Sequence, residues 1–482
     1  MTRQISILVL IFLLCCISQG QNATTTTRPS HASRVAGAVK PCTACILAHE
    51  EFLASDALNG RGSATHDELV AATYIASQLR QYGVEPAGDD GGYLQRVPLV
   101  RRKLSSPPEL RIFAPERAVT FKHGEEVIVL HVGESDQEGP FQKIEVGSQA
   151  TPQILKGAFV MLKAKDNKIP GGETNKLFKA GAAAVLLPEN PRYRAHWDFL
   201  KQRLFSESLE LADATGKQTE DKSTTIMLST DAAKQLETFP EGTRIRVSAP
   251  LEEPETATSW NAVGKIPGRD PNLRKSTVLF SAHLDHLGVK EAVNGDNIYN
   301  GADDDASGTT AVLELARVLG AGPKPRRTVL FALFGSEELD GVGSSYWREH
   351  PPVPLSEISA NLEFEMIGRA DAAVPADTLW LSGWERSNLG PALAEHGAKL
   401  VSDPHPAEQF FTRSDNYVLA QKGVVAQTIS SYGLHKDYHQ PSDDLAHLNF
   451  KHMDEAIESL LKPVQWLVNS SFKPAWKPGG QP

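Results

Sequence analysis

A chain of 482 residues is more than one ordinary hydrophobic core organises, so two domains, or one large domain carrying an insertion, is the expected plan. Hydrophobic residues make up 40% and charged residues 22%, the balance of a globular protein and not of a disordered one. The formal charge of −10 argues against nucleic acid or an anionic membrane surface as the main partner.

In chain order, Arg3 precedes an apolar run, Ile5–Ile17, and the small residues Ser18-Gln19-Gly20 follow it. This is the pattern of an export signal, and the run is too short to cross a hydrocarbon core of roughly 30 Å as a helix. We therefore expect residues 1–20 to be a signal peptide and the protein to be secreted or periplasmic, with no stable membrane insertion after cleavage. A retained anchor, or a lipid on Cys15 or Cys16, is the alternative. Residues 21–40 are Thr-rich and polar and are expected to be a flexible lead-in. Of the cysteines only Cys42 and Cys45 would survive cleavage, and they read as a local disulfide or as two idle thiols.

Thr65-His66-Asp67-Glu68 has the capping-box spacing, and Leu69, Ala72, Ala76 and Leu79 continue at helical intervals until Gly83. Beyond residue 100 short β-like runs follow one another, Leu110–Phe113, Val127–Val132, Phe159–Leu162 and Ala183–Leu187, with no clustering of His, Asp and Glu. Residues 101–250 are therefore expected to form an inserted domain without chemistry of its own.

From residue 258 buried strands and helices alternate. Thr277–Ala282 and Thr328–Phe334 are almost wholly apolar, as strands covered on both faces are, and Val312, Leu315, Ala316 and Leu319 form a helical stripe between them. Asn361–Ile367 and Val424–Ile429 read as further strands, and Met453, Ile457, Leu460 and Leu461 as a last helix. The expected class is α/β with a mostly parallel central sheet flanked by helices, whose ligands sit beyond the carboxyl ends of the strands.

Each of these strands delivers polar residues at that end. His283 and Asp285 follow the first and point to one side of an extended chain, which suits a ligand histidine oriented by a carboxylate; a structural histidine is the plainer alternative. Asp303-Asp304-Asp305 then crowds three carboxylates before a helix, either as a solvated cap or as a cation site that relieves their repulsion. Glu337-Glu338 follows the next apolar strand, so that one acid can ligate a metal while its neighbour takes a proton from water. Glu363 and Glu365 lie on one face of a buried strand, costly without cations or partners. His439 stands in the turn Asp437–Asp444, where Pro441 stiffens the backbone. Each piece alone is ordinary. Together, two histidines and at least three carboxylates from separate strands fit two Zn2+ ions sharing an Asp and a water.

At this point the sequence resembles the exported co-catalytic zinc aminopeptidases, the family that also holds glutamate carboxypeptidases and the transferrin receptor. The match lies in His283-Leu284-Asp285, in Gly301 to Gly308, in Ser336-Glu337-Glu338 and in His439-Gln440-Pro441-Ser442-Asp443, with Ser55 to Gly62 resembling the start of bacterial members. The resemblance covers about 45–100 and 258–465, and the segment between resembles a protease-associated domain. It implies a discontinuous zinc peptidase domain over 41–100 and 251–470, an insertion over 101–250 and a tail at 471–482.

By position it implies that Asp304 bridges the metals, that His283 and one acid of the 361–368 strand complete one zinc, and that Glu338 and His439 complete the other. Glu337 would be the general base and Asp285 the residue that orients His283. The family usually shows Asn-x-Asp-Met-x-Gly where this chain has Glu363-Phe364-Glu365-Met366-Ile367-Gly368. Aligning on Met-Ile-Gly-Arg selects Glu365, the preferred ligand; aligning on Asn361-Leu362 selects Glu363. The implied activity is removal of N-terminal residues from peptides with a free N-terminus. A carboxypeptidase or dipeptidase using Arg369 and Arg413, a glutaminyl cyclase-like acyltransferase and a non-catalytic receptor-like protein are the alternatives.

Overall fold

The structure is a computed structural model. It describes residues 40–115, 117–146 and 223–482, together with 153–164, 172–189, 208–212 and a few single positions between 147 and 222. The expected signal peptide and all of the lead-in but Lys40 lie outside the described residues.

Six strands form the body of a ten-stranded mixed sheet: β1 (Leu94–Arg102), β2 (Glu255–Ile266), β3 (Thr277–His283), β4 (Val329–Phe334), β5 (Ile358–Phe364) and β6 (Ala426–Ser430). Their spatial order is β6-β5-β3-β4-β2-β1, with Leu379–Leu381 and Leu400–Ser402 beyond β6 and Ser208–Leu211 beyond β1. The four central strands, β6, β5, β3 and β4, are parallel. The flanking pairings of β4 with β2, β2 with β1, β1 with Ser208–Leu211 and β6 with Leu379–Leu381 are antiparallel. The expectation of a mostly parallel sheet thus holds only for the centre. The reason is visible in burial: every residue of β3 and β4 is buried, whereas β1 alternates buried and part-exposed positions like a strand covered on one face.

Four helices cover one face: α1 (Thr43–Leu53), α2 (His66–Gln81), α3 (Gly308–Ala321) and α4 (Phe450–Asn469). Ile75 and Leu79 of α2, Val312 and Leu315 of α3, and Met453, Ile457, Leu460 and Leu461 of α4 meet Val278, Phe280 and Phe331 of the sheet in one core. Among the described residues no helix is long and apolar enough to cross a membrane. Cys42 and Cys45 form a disulfide at the start of α1.

Between β1 and β2 lies an eight-stranded sheet with a core of its own, built on Leu110, Phe121, Phe141, Phe159, Ile226 and Ile245. The chain leaves along β1 and returns along β2, and the two pair from Leu94 opposite Ala262 to Arg101 opposite Glu255. The second sheet is therefore joined to the first through neighbouring antiparallel strands.

Glu50 of α1 is wholly buried, and burial pushes its carboxyl up to about 8 from 4.5. An acid whose native value is raised binds a proton in the folded state that the unfolded chain has lost, so its contribution to stability falls as pH rises between 4.5 and about 8. Glu50→Gln removes that dependence. Thermal melts should show the variant equal to the parent near the lower limit and more stable above the upper one, by an amount on the order of a few kcal/mol.

Candidate metal centre and active site

The parallel strands β3, β4, β5 and β6 end on one edge of the sheet, and each runs there into a segment that carries acids or histidines. His283 closes β3. Its Nε2 lies 3.1 Å from Asp304 Oδ1, and its Nδ1 lies 3.2 Å from the Asp285 carbonyl oxygen. The Asp285 carboxylate is farther from the ring, at 3.7 Å; it accepts hydrogen bonds from the Glu337 N–H at 3.0 Å and the Ser63 hydroxyl at 2.6 Å. Asp285 thus spans the β3 and β4 ends and does more than face His283.

Asp304 sits at the centre. Its Oδ2 lies 3.2 Å from His439 Nε2, which is also 3.2 Å from Glu338 Oε2. His283, Asp304 and Glu365 each offer one donor atom within 4.8 Å of the others, and so do His286, Asp304 and Glu338. Of the two acids the sequence left open, Glu365 joins the cluster. Glu363 turns away, accepting from the Asn416 N–H at 2.5 Å. His286, which sequence reasoning did not place in the site, lies 2.8 Å from Glu338.

Supports for this cluster come from far along the chain. Glu68 accepts from the Ser336 N–H at 2.9 Å and the Ala64 N–H at 3.0 Å, so the acid of the capping box reaches across to the β4 end. The fully buried Arg61 donates to the carbonyls of Leu284, Leu53, Asn300 and Gly301, fastening the β3 end to the acidic loop. Asp443 accepts from the backbone N–H groups of Asp303 and Asp304, both at 3.0 Å. Asp305 accepts from the Gly308 and Met366 N–H groups, also at 3.0 Å, and Asp303 from the Gly368 N–H at 2.7 Å, so two of the three adjacent aspartates are occupied in shaping the loop. Only their distant partners show these roles; sequence spacing carries no signal for them.

Ser336, Met366 and His439 all have positive φ, at 53°, 52° and 56°. Each such non-glycine position costs about 1–3 kcal/mol, and such strain gathers where side chains must be aimed. Gly301, at φ 59°, opens the acidic loop. A Cβ there would lie 2.2 Å from the Asp304 carbonyl oxygen and 2.4 Å from His286 Cγ. Gly301→Ala is therefore expected to displace Asp304 and to lower kcat/KM for any reaction at this site by about 100-fold, the effect of a misplacement near 1 Å, in steady-state kinetics.

Burial and neighbouring acids raise Glu337, Glu363 and Asp443 well above the usual carboxylate range, and burial raises Asp415 to about 7. Burial alone would lower His439, but Glu338 and Asp304 push it up to about 10. Crowded buried acids that lift one another, converging on imidazole nitrogens, are a donor set that a divalent cation suits; His and carboxylate together suit zinc. Beside them opens a small cleft lined by Asp304, Glu337 and Glu365 together with Met366, Trp380, Phe410, Tyr432 and Tyr438. Arg413 lines it too, 3.3 Å from Glu408, whereas Arg369 is held by Asp437 at 2.9 Å.

Comparison with known proteins places this geometry. Residues 261–463, from β2 to α4, match the family described as peptidase family M28. The M28 segment contains all seven residues that the sequence reading placed in the site. The chain is 35% identical over 114 residues to leupeptin-inactivating enzyme 1 of Streptomyces exfoliatus, a match covering 23% of each chain. It is 26% identical over 234 residues to aminopeptidase YwaD of Bacillus subtilis, covering 45% of this chain and 46% of that one. These matches span less than half the length of either relative. An aminopeptidase from Aneurinibacillus sp. strain AM-1 has a similar fold, with a TM-score of 0.57 at 18% identity, over 90% of this chain and 95% of its own.

Proposed function

We propose that this protein is an exported two-zinc exopeptidase that removes N-terminal residues from peptides. The observation that carries the reading is the convergence of His283, Asp304, Glu338, Glu365 and His439 on the edge where four parallel strands end, beside a cleft floored by acids. In it His283 and Glu365 would hold one zinc, Glu338 and His439 would hold the other, and Asp304 would serve both. Zinc held there would supply Lewis-acid chemistry, lowering the pKa of a bound water from 15.7 towards roughly 7 and polarising the scissile carbonyl.

The chain's own groups do the rest. Glu337 accepts the proton as the water oxygen adds to the carbonyl carbon. It delivers that proton to the leaving nitrogen as the C–N bond breaks. The Asp285 carboxylate, through the Glu337 N–H, keeps this base beside the β3 end. The substrate's ammonium finds acids on the cleft floor, and the apolar wall excludes water from around the scissile bond. Among the described residues Arg413 is the one Arg or Lys of the cleft lining, and it faces Glu408, which leaves the site a poor receptor for a terminal carboxylate and favours the aminopeptidase over the carboxypeptidase. The same reading takes the second sheet as a protease-associated insertion over 101–250 and residues 41–100 and 251–470 as the peptidase domain.

The test is mass spectrometry of an unblocked decapeptide incubated with the zinc-loaded protein, beside its N-acetylated copy. A ladder losing N-terminal residues from the free peptide alone is the expected result. A ladder from the other end, or intact peptide in both tubes, contradicts the reading.

A further inference from the structure

We propose that Glu68 and Ser63 are positioning residues for Glu337, aiming its side chain from a turn that lies outside the residues matching peptidase family M28. The inference rests on the reading of Glu337 as the base and names what holds that base in place.

β4 ends at Phe334, and the three N–H groups that follow are each taken by a side-chain oxygen from another part of the chain. Gly335 donates to Asn261 Oδ1 at 2.9 Å, Ser336 to Glu68 Oε1 at 2.9 Å and Glu337 to Asp285 Oδ1 at 3.0 Å. Three consecutive peptides held in this way fix the direction in which the Glu337 side chain leaves the backbone.

Glu68 is wholly buried. Its Oε1 also accepts from the Ser336 and Ser259 hydroxyls, at 3.2 and 2.8 Å, and its Oε2 accepts from the Ala64 N–H at 3.0 Å. One carboxyl group therefore pins two residues in the left-handed region, Ala64 at φ 55° and Ser336 at φ 53°. Such conformations persist where the surroundings over-determine them. Gly335 makes room for this approach, since a Cβ there would lie 2.6 Å from Glu68 Oε1. The acid of a capping box needs only the start of its own helix, so the reach to Ser336 serves something else.

Ser63, in the same turn, reaches the base by a second route. Its hydroxyl donates to Asp285 Oδ2 at 2.6 Å, while the other oxygen of that buried carboxylate accepts the Glu337 N–H. Ser63 thereby fixes the plane of the group from which the Glu337 peptide hangs.

Steady-state kinetics on the zinc-loaded full chain tests this, with Glu68→Gln and Ser63→Ala each made in the parent and in the Glu337→Gln variant. Glu68→Gln keeps the volume but turns one acceptor oxygen into a donor, and Ser63→Ala removes a single hydroxyl from a part-exposed turn. Each is expected to lower kcat at least about 10-fold in the parent, less than a 1 Å misplacement costs, with KM and zinc content unchanged. In the Glu337→Gln background neither should lower kcat further, because the side chain they aim no longer takes a proton. Parental kcat in either folded variant, or an equal loss in both backgrounds, overturns the proposal. Should Glu68→Gln fail to fold, Ser63→Ala decides by itself. Near-parental kcat in Glu337→Gln alone defeats the reading of the base, whereas a deep loss there without coupling to Glu68 or Ser63 defeats this inference only.

Discussion

Glu337→Gln is expected to lower kcat by about 10²–10⁴-fold, the range that a positioned general base supplies, with zinc content and melting temperature unchanged. The side chain stands just beyond β4, after Ser336 in its left-handed conformation, and it lines the cleft together with Asp304 and Glu365. Its N–H is held by Asp285, and that bond belongs to the backbone, so the substitution leaves it in place. Gln has nearly the same volume and keeps the cleft shape, but it cannot take up the proton of the attacking water. Since Glu337 is not among the residues assigned to hold metal, KM should move little while kcat falls. Steady-state kinetics with metal analysis on the same preparation checks both halves of the expectation. A variant with near-parental kcat and full zinc would remove Glu337 from its role.

Asp304→Ala is expected to abolish binding of both metal ions at micromolar zinc, and activity with it. Asp304 alone stands between the two halves of the cluster, 3.1 Å from His283 through one oxygen and 3.2 Å from His439 through the other. Loss of any other donor spares one half; loss of this one leaves each half with a single imidazole and a single carboxylate. The consequence reaches stability, because a ligand that binds only the folded state stabilises it by about 2.7 kcal/mol at a concentration 100 times its Kd. The melting temperature of the parent should therefore rise on adding zinc, and that of Asp304→Ala should not. Isothermal titration and thermal melts with and without zinc measure the two effects. A variant that still binds one ion tightly would show that Asp304 is not shared.

The central strands and the residues at their ends were legible in the sequence because both signals are local. An apolar run such as Val329–Phe334 marks a strand buried on two faces, and Glu337-Glu338 stands just beyond its end. The flanking sheet was not legible. The longest strand, Glu255–Ile266, begins in polar residues and pairs antiparallel with the chain on both sides, a property of neighbours set by the rest of the fold. The strand Asp136–Glu145 carries acids, a Gly and a Pro, a composition that gives no strand signal in sequence.

Within the site, the choice between Glu363 and Glu365 depended on the backbone at the β5 end. Burial of the strand stops at Phe364, Met366 turns to positive φ, and Glu365 is left at the mouth while the Asn416 N–H captures Glu363. The contributions of Arg61, Glu68 and His286 were hidden for another reason. Glu68 and Ser336 are 268 positions apart and Arg61 and Gly301 are 240, so only the folded chain brings them together.

The most direct measurement is a crystal structure of the zinc-loaded protein with diffraction data collected on both sides of the zinc absorption edge. Two anomalous peaks about 3.5–4 Å apart, with Asp304 between them, His283 and Glu365 on one and Glu338 and His439 on the other, are the expected result. A single peak, or peaks away from these residues, would contradict the assignment of this edge of the sheet as a two-zinc peptidase site.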